Sequence, residues 1–202
     1  MCLLVASVIF YSRGNTKLHS LVLCATLARL IVLGDSLGVG LGASTPAHAY
    51  ASILAAELDL SLDMRAVSGT TVAQQAIPTD LCAGDTVVWI AGYNDMRAGH
   101  DAQEVGQAVH RAVQAMRSQG AAVYIASPIP MTEAGYAAYA PAWNHGSDAS
   151  LANYRAALPG SVRIAYNPVN VTSDVVHPND TGYRQIANSF LAAMRRRVYL
   201  PL

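Results

Sequence analysis

The sequence predicts a three-layer α/β/α domain built on a doubly wound, five-stranded parallel sheet. Three observations carry that expectation. Five short apolar runs, at residues 30–33, 60–67, 86–91, 121–126 and 162–165, have the length of buried strands. Segments with helical signals separate them, and alternating strands and helices imply parallel pairing with helices covering both faces. The residues best suited to chemistry, Ser36, Gly69, Asn94, Asp174 and His177, follow strands one, two, three and five. In such sheets that places them along the carboxyl edge, where ligands bind.

Each element has its own justification. The first run, Leu30-Ile31-Val32-Leu33, is continuously apolar and ends at Gly34-Asp35-Ser36-Leu37. Thr45 followed by Pro46 is a helix start, continued through residues 51–58. After the second run, Ser68, Thr70 and Thr71 are candidates to cap a following helix. The third run leads to Gly92-Tyr93-Asn94-Asp95. Asp101 with Glu104 has the spacing of a capping box, and Val105, Val109, Ala112, Val113 and Met116 mark one helical face that Gly120 closes. After the fourth run comes a long excursion, residues 127–150, rich in proline and aromatic residues including Tyr136, Tyr139 and Trp143. A last helix starts near Asn179, with Tyr183, Ile186, Ala187, Phe190, Leu191 and Met194 on its inner side.

At 202 residues, with no repeat or low-complexity linker, the chain reads as one domain at residues 30–202 behind an extension of residues 1–29. Formal net charge is zero and only Arg195-Arg196-Arg197 forms a basic run, so nothing resembles a nucleic-acid footprint. Those arginines suit the C-terminal end of the last helix. Cys2, Cys24 and Cys82 have neither metal-ligand spacing nor the pattern of a disulfide framework, and the histidines form no ligand cluster. No metal or cofactor is expected. Residues 1–10 are apolar but too short to span a bilayer. Lys17, the apolar stretch 21–27 and Ala28 fit an export signal, which would make the protein periplasmic or secreted. An upstream extension or an extra helix fits the same residues.

The chemistry lies in two separated stretches. A serine hydroxyl is a poor nucleophile at neutral pH and needs a neighbouring base, which in turn needs an orienting group. Ser36 supplies the hydroxyl, and Asp174-Val175-Val176-His177 supplies an imidazole and a carboxylate three residues apart. With Gly69 in Val67-Ser68-Gly69-Thr70, and with Asn94 in its block, these stretches resemble the SGNH, or GDSL, hydrolase family. The four blocks stand in the family's order and span roughly residues 29–195. The resemblance implies a serine hydrolase with a flavodoxin-like fold and no metal. It implies Ser36 as nucleophile, His177 as base and Asp174 as its orienting partner. The oxyanion hole would comprise the backbone N–H groups of Ser36 and Gly69 and the side-chain amide of Asn94. Asp35 reads as a turn residue and Asp95 as an anchor behind Asn94.

Competing motifs are weaker. Gly38-Val39-Gly40-Leu41-Gly42 is not G-x-G-x-x-G and lacks a Walker lysine, so it reads as a wall beside Ser36. The serine is not in the G-x-S-x-G elbow of α/β-hydrolases. The function expected is hydrolysis of short-acyl esters, including O-acetyl groups on carbohydrate, through an acyl-enzyme. A thioesterase or lysophospholipase of the same family, or a non-catalytic carbohydrate-binding domain, are the alternatives. The aromatic excursion is placed to contact a substrate or, equally, to pack on itself as an ordered surface segment.

Overall fold

The computed structural model describes residues 28–132, 134–135 and 148–198. The expectations placed on the N-terminal extension, and on Tyr136, Tyr139 and Trp143, lie outside the described residues.

Strands β1 (Arg29–Leu33), β2 (Ser61–Met64), β3 (Thr86–Ile90) and β4 (Ala122–Ala126) form a parallel sheet in the order β2-β1-β3-β4. In β1 and β3 the last four residues are all buried, which requires cover on both faces and explains the unbroken apolar runs. Helices α1 (Ser36–Val39), α2 (Tyr50–Leu58), α3 (Tyr93–Ala98), α4 (Ala102–Arg117), α5 (Asp148–Ala157) and α6 (Asp180–Val198) supply that cover, with α2 packed on α6 and α4 on α5. Tyr50 stacks on Tyr183 and on Phe190, with ring centroids 6.2 and 5.8 Å apart. Each such aromatic pair adds roughly 0.5–1.5 kcal/mol beyond the area it buries. This stack fixes α6, which begins just after His177, against α2.

Two sequence expectations about the sheet change. The second strand is shorter than residues 60–67 and mostly exposed, as befits an edge. Its backbone nevertheless keeps bonding to the β1 side, with Arg65 N–H donating to Val32 O and Val67 N–H to Gly34 O at 2.9 Å. The fifth strand does not form: residues 162–165 make a single parallel bridge, Val162 to Ala126. Among the described residues there are therefore four strands where five were expected, and the five-stranded flavodoxin-like sheet is not confirmed. The cause lies in competing partners. Arg117 Nη2 donates to Val123 O at the outer edge of β4, and Ala165 N–H is taken by Ser189 Oγ on α6. Val162 N–H reaches Ile125 O at 2.6 Å, so a longer ladder would next use Ile164 N–H, while the Ala165 bond to Ser189 draws the opposite edge of the segment onto α6.

Helix starts follow the sequence closely. Asp101 Oδ1 accepts from Gln103 N and Glu104 N, and Asn179 Oδ1 accepts from Gly182 N at the head of α6. Thr45 makes no capping bond, and a 3₁₀ turn at Pro46–His48 precedes α2. Thr71 caps only a short 3₁₀ turn at Val72–Gln74, with its N–H donating to Gln74 Oε1. Cys82, in the turn before β3, is disulfide-bonded. The sequence argued against a disulfide framework, and a single bond is not one; pairing depends on Cα proximity in space and not on spacing in sequence. Among the described residues no helix is long and apolar enough to cross a membrane.

Candidate active site

Four chain segments meet at the carboxyl edge of the sheet. The chain leaves β1 through Gly34, at φ 126, where an added Cβ would lie 3.3 Å from Ile90 O. That left-handed turn lets Asp35 cap α1 through Oδ1, which accepts Leu37 N–H at 3.0 Å. Ser36 is therefore the first residue of a one-turn helix, half-buried at the strand end. So short a helix contributes little dipole, and the contacts around the serine matter more.

The second half of the site is a tight loop before α6. Val171 and Pro178 form an antiparallel bridge, and Thr172 N–H donates to His177 O at 2.9 Å. Inside the turn, Asp174 Oδ1 accepts from Thr172 Oγ1, Val176 N and His177 N at 2.8–2.9 Å. Asp174 Oδ2 lies 2.6 Å from His177 Nδ1, and His177 Nε2 lies 2.9 Å from Ser36 Oγ. A carboxylate only accepts, so Nδ1 carries hydrogen and Nε2 of the neutral ring faces the serine hydroxyl with its lone pair. Burial raises the Asp174 pKa, but the bonds from the His177 ring, from backbone N–H groups and from Thr172 outweigh it and hold this carboxyl well below the usual range. The turn is reached through Val175 at φ 60, a left-handed conformation costly for a β-branched residue and tolerated at sites that surrounding structure over-determines.

The remaining candidates gather around the same serine. Gly69 is exposed, at φ 80, and an added Cβ would meet nothing within 4 Å, so its backbone borders open space beside the Val67–Gly34 bond. Asn94 opens toward the site from α3, whose N-cap is Gly92 at φ 91. Its Nδ2 donates to Thr70 O and to Asp35 Oδ2, each at 3.1 Å. Asp95 lies behind it, with Oδ2 accepting Val72 N–H at 2.8 Å and Oδ1 3.3 Å from His100 Nδ1. Hydrogen bonds thus join Ser36, His177 and Asp174, while Asn94 is tied to Asp35, next to Ser36, and to the carbonyl of Thr70, next to Gly69.

Two contacts were not legible beforehand. Asp35 is more than a turn residue, because it joins the helix beginning with Ser36 to Asn94. It is 2% exposed, and burial pushes its carboxyl up to about 6 against the lowering bond from Leu37 N–H. His48 is not a bystander either, since its Nδ1 lies 2.8 Å from Ser44 Oγ and 2.9 Å from Asp180 Oδ2. The only sequence signal for the first was an acidic residue preceding a serine at an apolar strand end.

Residues 32–185 match the GDSL-like Lipase/Acylhydrolase family. The chain belongs to that family. None of the curated proteins matches it significantly. Among solved structures, a lipolytic G-D-S-L family protein from Veillonella parvula superposes with TM-score 0.56 at 18% identity, over 84% of this chain and 99% of that one. A family two carbohydrate esterase from Clostridium thermocellum, in complex with cellohexaose, gives TM-score 0.59 at 17% identity, over 85% of this hydrolase and 65% of that chain. The esterase EstA from Pseudoalteromonas sp., in a structure inhibited by monoethylphosphonate, gives 0.54 at 16% identity, over 85% and 99%. At these identities the likeness is one of fold.

Proposed function

We propose that this GDSL-like hydrolase is a serine esterase that cleaves short-acyl esters, carbohydrate O-acetyl groups among them, through an acyl-enzyme. The observation that carries the reading is the hydrogen-bond chain from Ser36 Oγ through His177 to Asp174. Ser36 Oγ attacks the acyl carbonyl carbon while its proton passes to His177 Nε2. Asp174 keeps the ring in the Nδ1–H tautomer and stabilises the imidazolium. The carbonyl oxygen becomes an oxyanion, met by the backbone N–H groups of Ser36 and Gly69 and by Asn94. Both Asn94 amide hydrogens are already engaged, so one must be shared or released as that charge develops. Collapse breaks the bond to the alcohol, which leaves with the proton from His177. Water then attacks the acyl-serine with His177 again as base, releasing the carboxylic acid and restoring the hydroxyl.

Two features support the substrate class. A neighbour in fold is a carbohydrate esterase, and the aromatic excursion follows β4, whose carboxyl end borders the site. A second reading has its own observation. Val39, Leu41 and Val67, on the segments that follow β1 and β2, are 42%, 44% and 58% exposed, and such apolar side chains suit a longer acyl group carried on a thioester or lysophospholipid. A panel of acetyl, butyryl and octanoyl esters, acetylated glycans and acyl-thioesters separates the two. Highest kcat/KM on acetyl substrates supports the first reading, and a rise through octanoyl overturns it. A fold that binds glycan without hydrolysing any member would be a carbohydrate-binding domain.

A further inference from the structure

Ser44, His48 and Asp180 make a second serine–histidine–aspartate contact in this protein, away from Ser36. Asp180 Oδ1 accepts from Ser44 N at 2.8 Å and Oδ2 accepts from Ser44 Oγ at 2.6 Å. His48 Nδ1 lies 2.9 Å from the same Oδ2 and 2.8 Å from Ser44 Oγ. The hydrogens exclude a second nucleophile. Ser44 gives its hydroxyl hydrogen to the carboxylate, and Nδ1 must itself carry a hydrogen to sit that close to an acceptor. No basic lone pair therefore faces this serine. The bonds from Ser44 also hold the Asp180 carboxyl below its ordinary range.

What the cluster joins is more informative than what it contains. Ser44 and His48 lie on the loop that leaves α1, the helix beginning with Ser36. Asp180 directly follows the loop carrying Asp174 and His177. The same seam is tightened at two further points. An added Cβ at Gly42 would come 2.6 Å from Pro178 O, 2.9 Å from His177 Cβ and 3.0 Å from Thr172 Cγ2. Tyr183, on the first turns of α6, donates its hydroxyl to Leu41 O. The His177 loop is rigid within itself through the bridge of Val171 to Pro178, but that bridge does not set its distance from Ser36. On its other side the loop meets Gly135, where an added Cβ would lie 2.6 Å from Val175 O.

We infer that Ser44, His48 and Asp180 are positioning residues, a clamp that sets the spacing between nucleophile and base by tying the loop after Ser36 to the loop of His177. The inference rests on the esterase reading above. Its leverage is geometric: reacting groups must approach within about 3–3.5 Å, and a displacement of about 1 Å can cost on the order of a hundredfold in rate. Substrate binding depends on other groups, so the loss belongs in kcat.

The test compares Asp180→Ala, Asp180→Asn, Ser44→Ala and His48→Ala with the wild type. Three quantities are read: the second-order rate of fluorophosphonate labelling at Ser36, kcat and KM on p-nitrophenyl acetate, and the thermal midpoint. Asp180→Ala should lower labelling and kcat by about tenfold or more while KM stays within about twofold. Ser44→Ala and His48→Ala should each cost several-fold, and Asp180→Asn, which can still accept from Ser44 N–H, should recover most of the loss. Ser44→Ala and Asp180→Ala break one contact, so their effects should not multiply in the double variant. Folded Asp180→Ala that labels and turns over at the wild-type rate overturns the clamp, as does a loss confined to KM. If Asp180→Ala does not fold, the Ser44→Ala/His48→Ala pair, on exposed residues, decides by the same criteria. Wild-type protein that neither labels nor hydrolyses the ester overturns the esterase reading itself, and the clamp with it.

Discussion

Asn94 donates from its side-chain amide to the carboxylate of Asp35, the residue that caps the helix beginning with Ser36. One buried carboxylate therefore orients two parts of the site, the serine's turn and the amide facing it. Replacing Asp35 should disturb both at once, whereas replacing Asn94 should leave the turn intact.

Asp35 also gives stability a pH signature. Its carboxyl is raised to about 6 in the folded protein by burial, against an ordinary value of 3.8. A raised folded value means the protonated form is favoured on folding. The contribution is fully present below the unfolded value and is lost as pH rises through about 6. Urea midpoints of wild type minus Asp35→Asn, taken from pH 4 to 7, should fall with rising pH and level off above about 6. A difference that is flat or rises over that window would contradict the burial argument.

Asn94→Ala should reduce kcat by about a hundred- to a thousandfold, the usual loss for one oxyanion donor, with a smaller change in KM. Steady-state kinetics on p-nitrophenyl acetate measures the split. Unchanged kcat with a raised KM would assign Asn94 to ground-state binding instead.

For Asp174→Asn the loss should be larger, on the order of ten-thousandfold in kcat, because an amide can stabilise the wrong imidazole tautomer. Asp174 is held well below the usual carboxylate range, so it stays ionised throughout neutral and mildly acid conditions. Retention of near-wild-type kcat by Asp174→Asn would remove this carboxylate from the catalytic chain.

The excursion over residues 127–150 should govern substrate choice. Replacing Tyr136, Tyr139 and Trp143 with alanine should change relative kcat/KM among esters by several-fold to about tenfold, at roughly 0.5–1.5 kcal/mol per aromatic contact. Labelling at Ser36 should change less. An unchanged ranking in the folded triple variant would shift the search to Val39, Leu41 and Val67.

What could be read from the sequence was local or periodic. β1 and β3 announce themselves because both of their faces are buried, leaving no polar interruption. Asp101, Asn179 and the inner face of α6 follow from capping and 3.6-residue spacing. The catalytic candidates were found because chemistry restricts their residue types and their blocks keep a fixed order. The fifth strand was misjudged because residues 162–165 have a strand's composition while their backbone partners, such as Ser189, lie far along the chain. The same holds for Asp35 with Asn94 and for His48 with Asp180. No periodicity encodes a contact between residues so distant in sequence.

The central claim is that Ser36 forms the covalent intermediate, and intact-protein mass spectrometry after exposure to a fluorophosphonate tests it most directly. Its hydroxyl is the one that faces the His177 lone pair, with Asp174 behind the ring. The account predicts a single adduct per chain, on the peptide containing Ser36 and absent from Ser36→Ala. An adduct on any other residue, or undiminished ester turnover by Ser36→Ala, would contradict it.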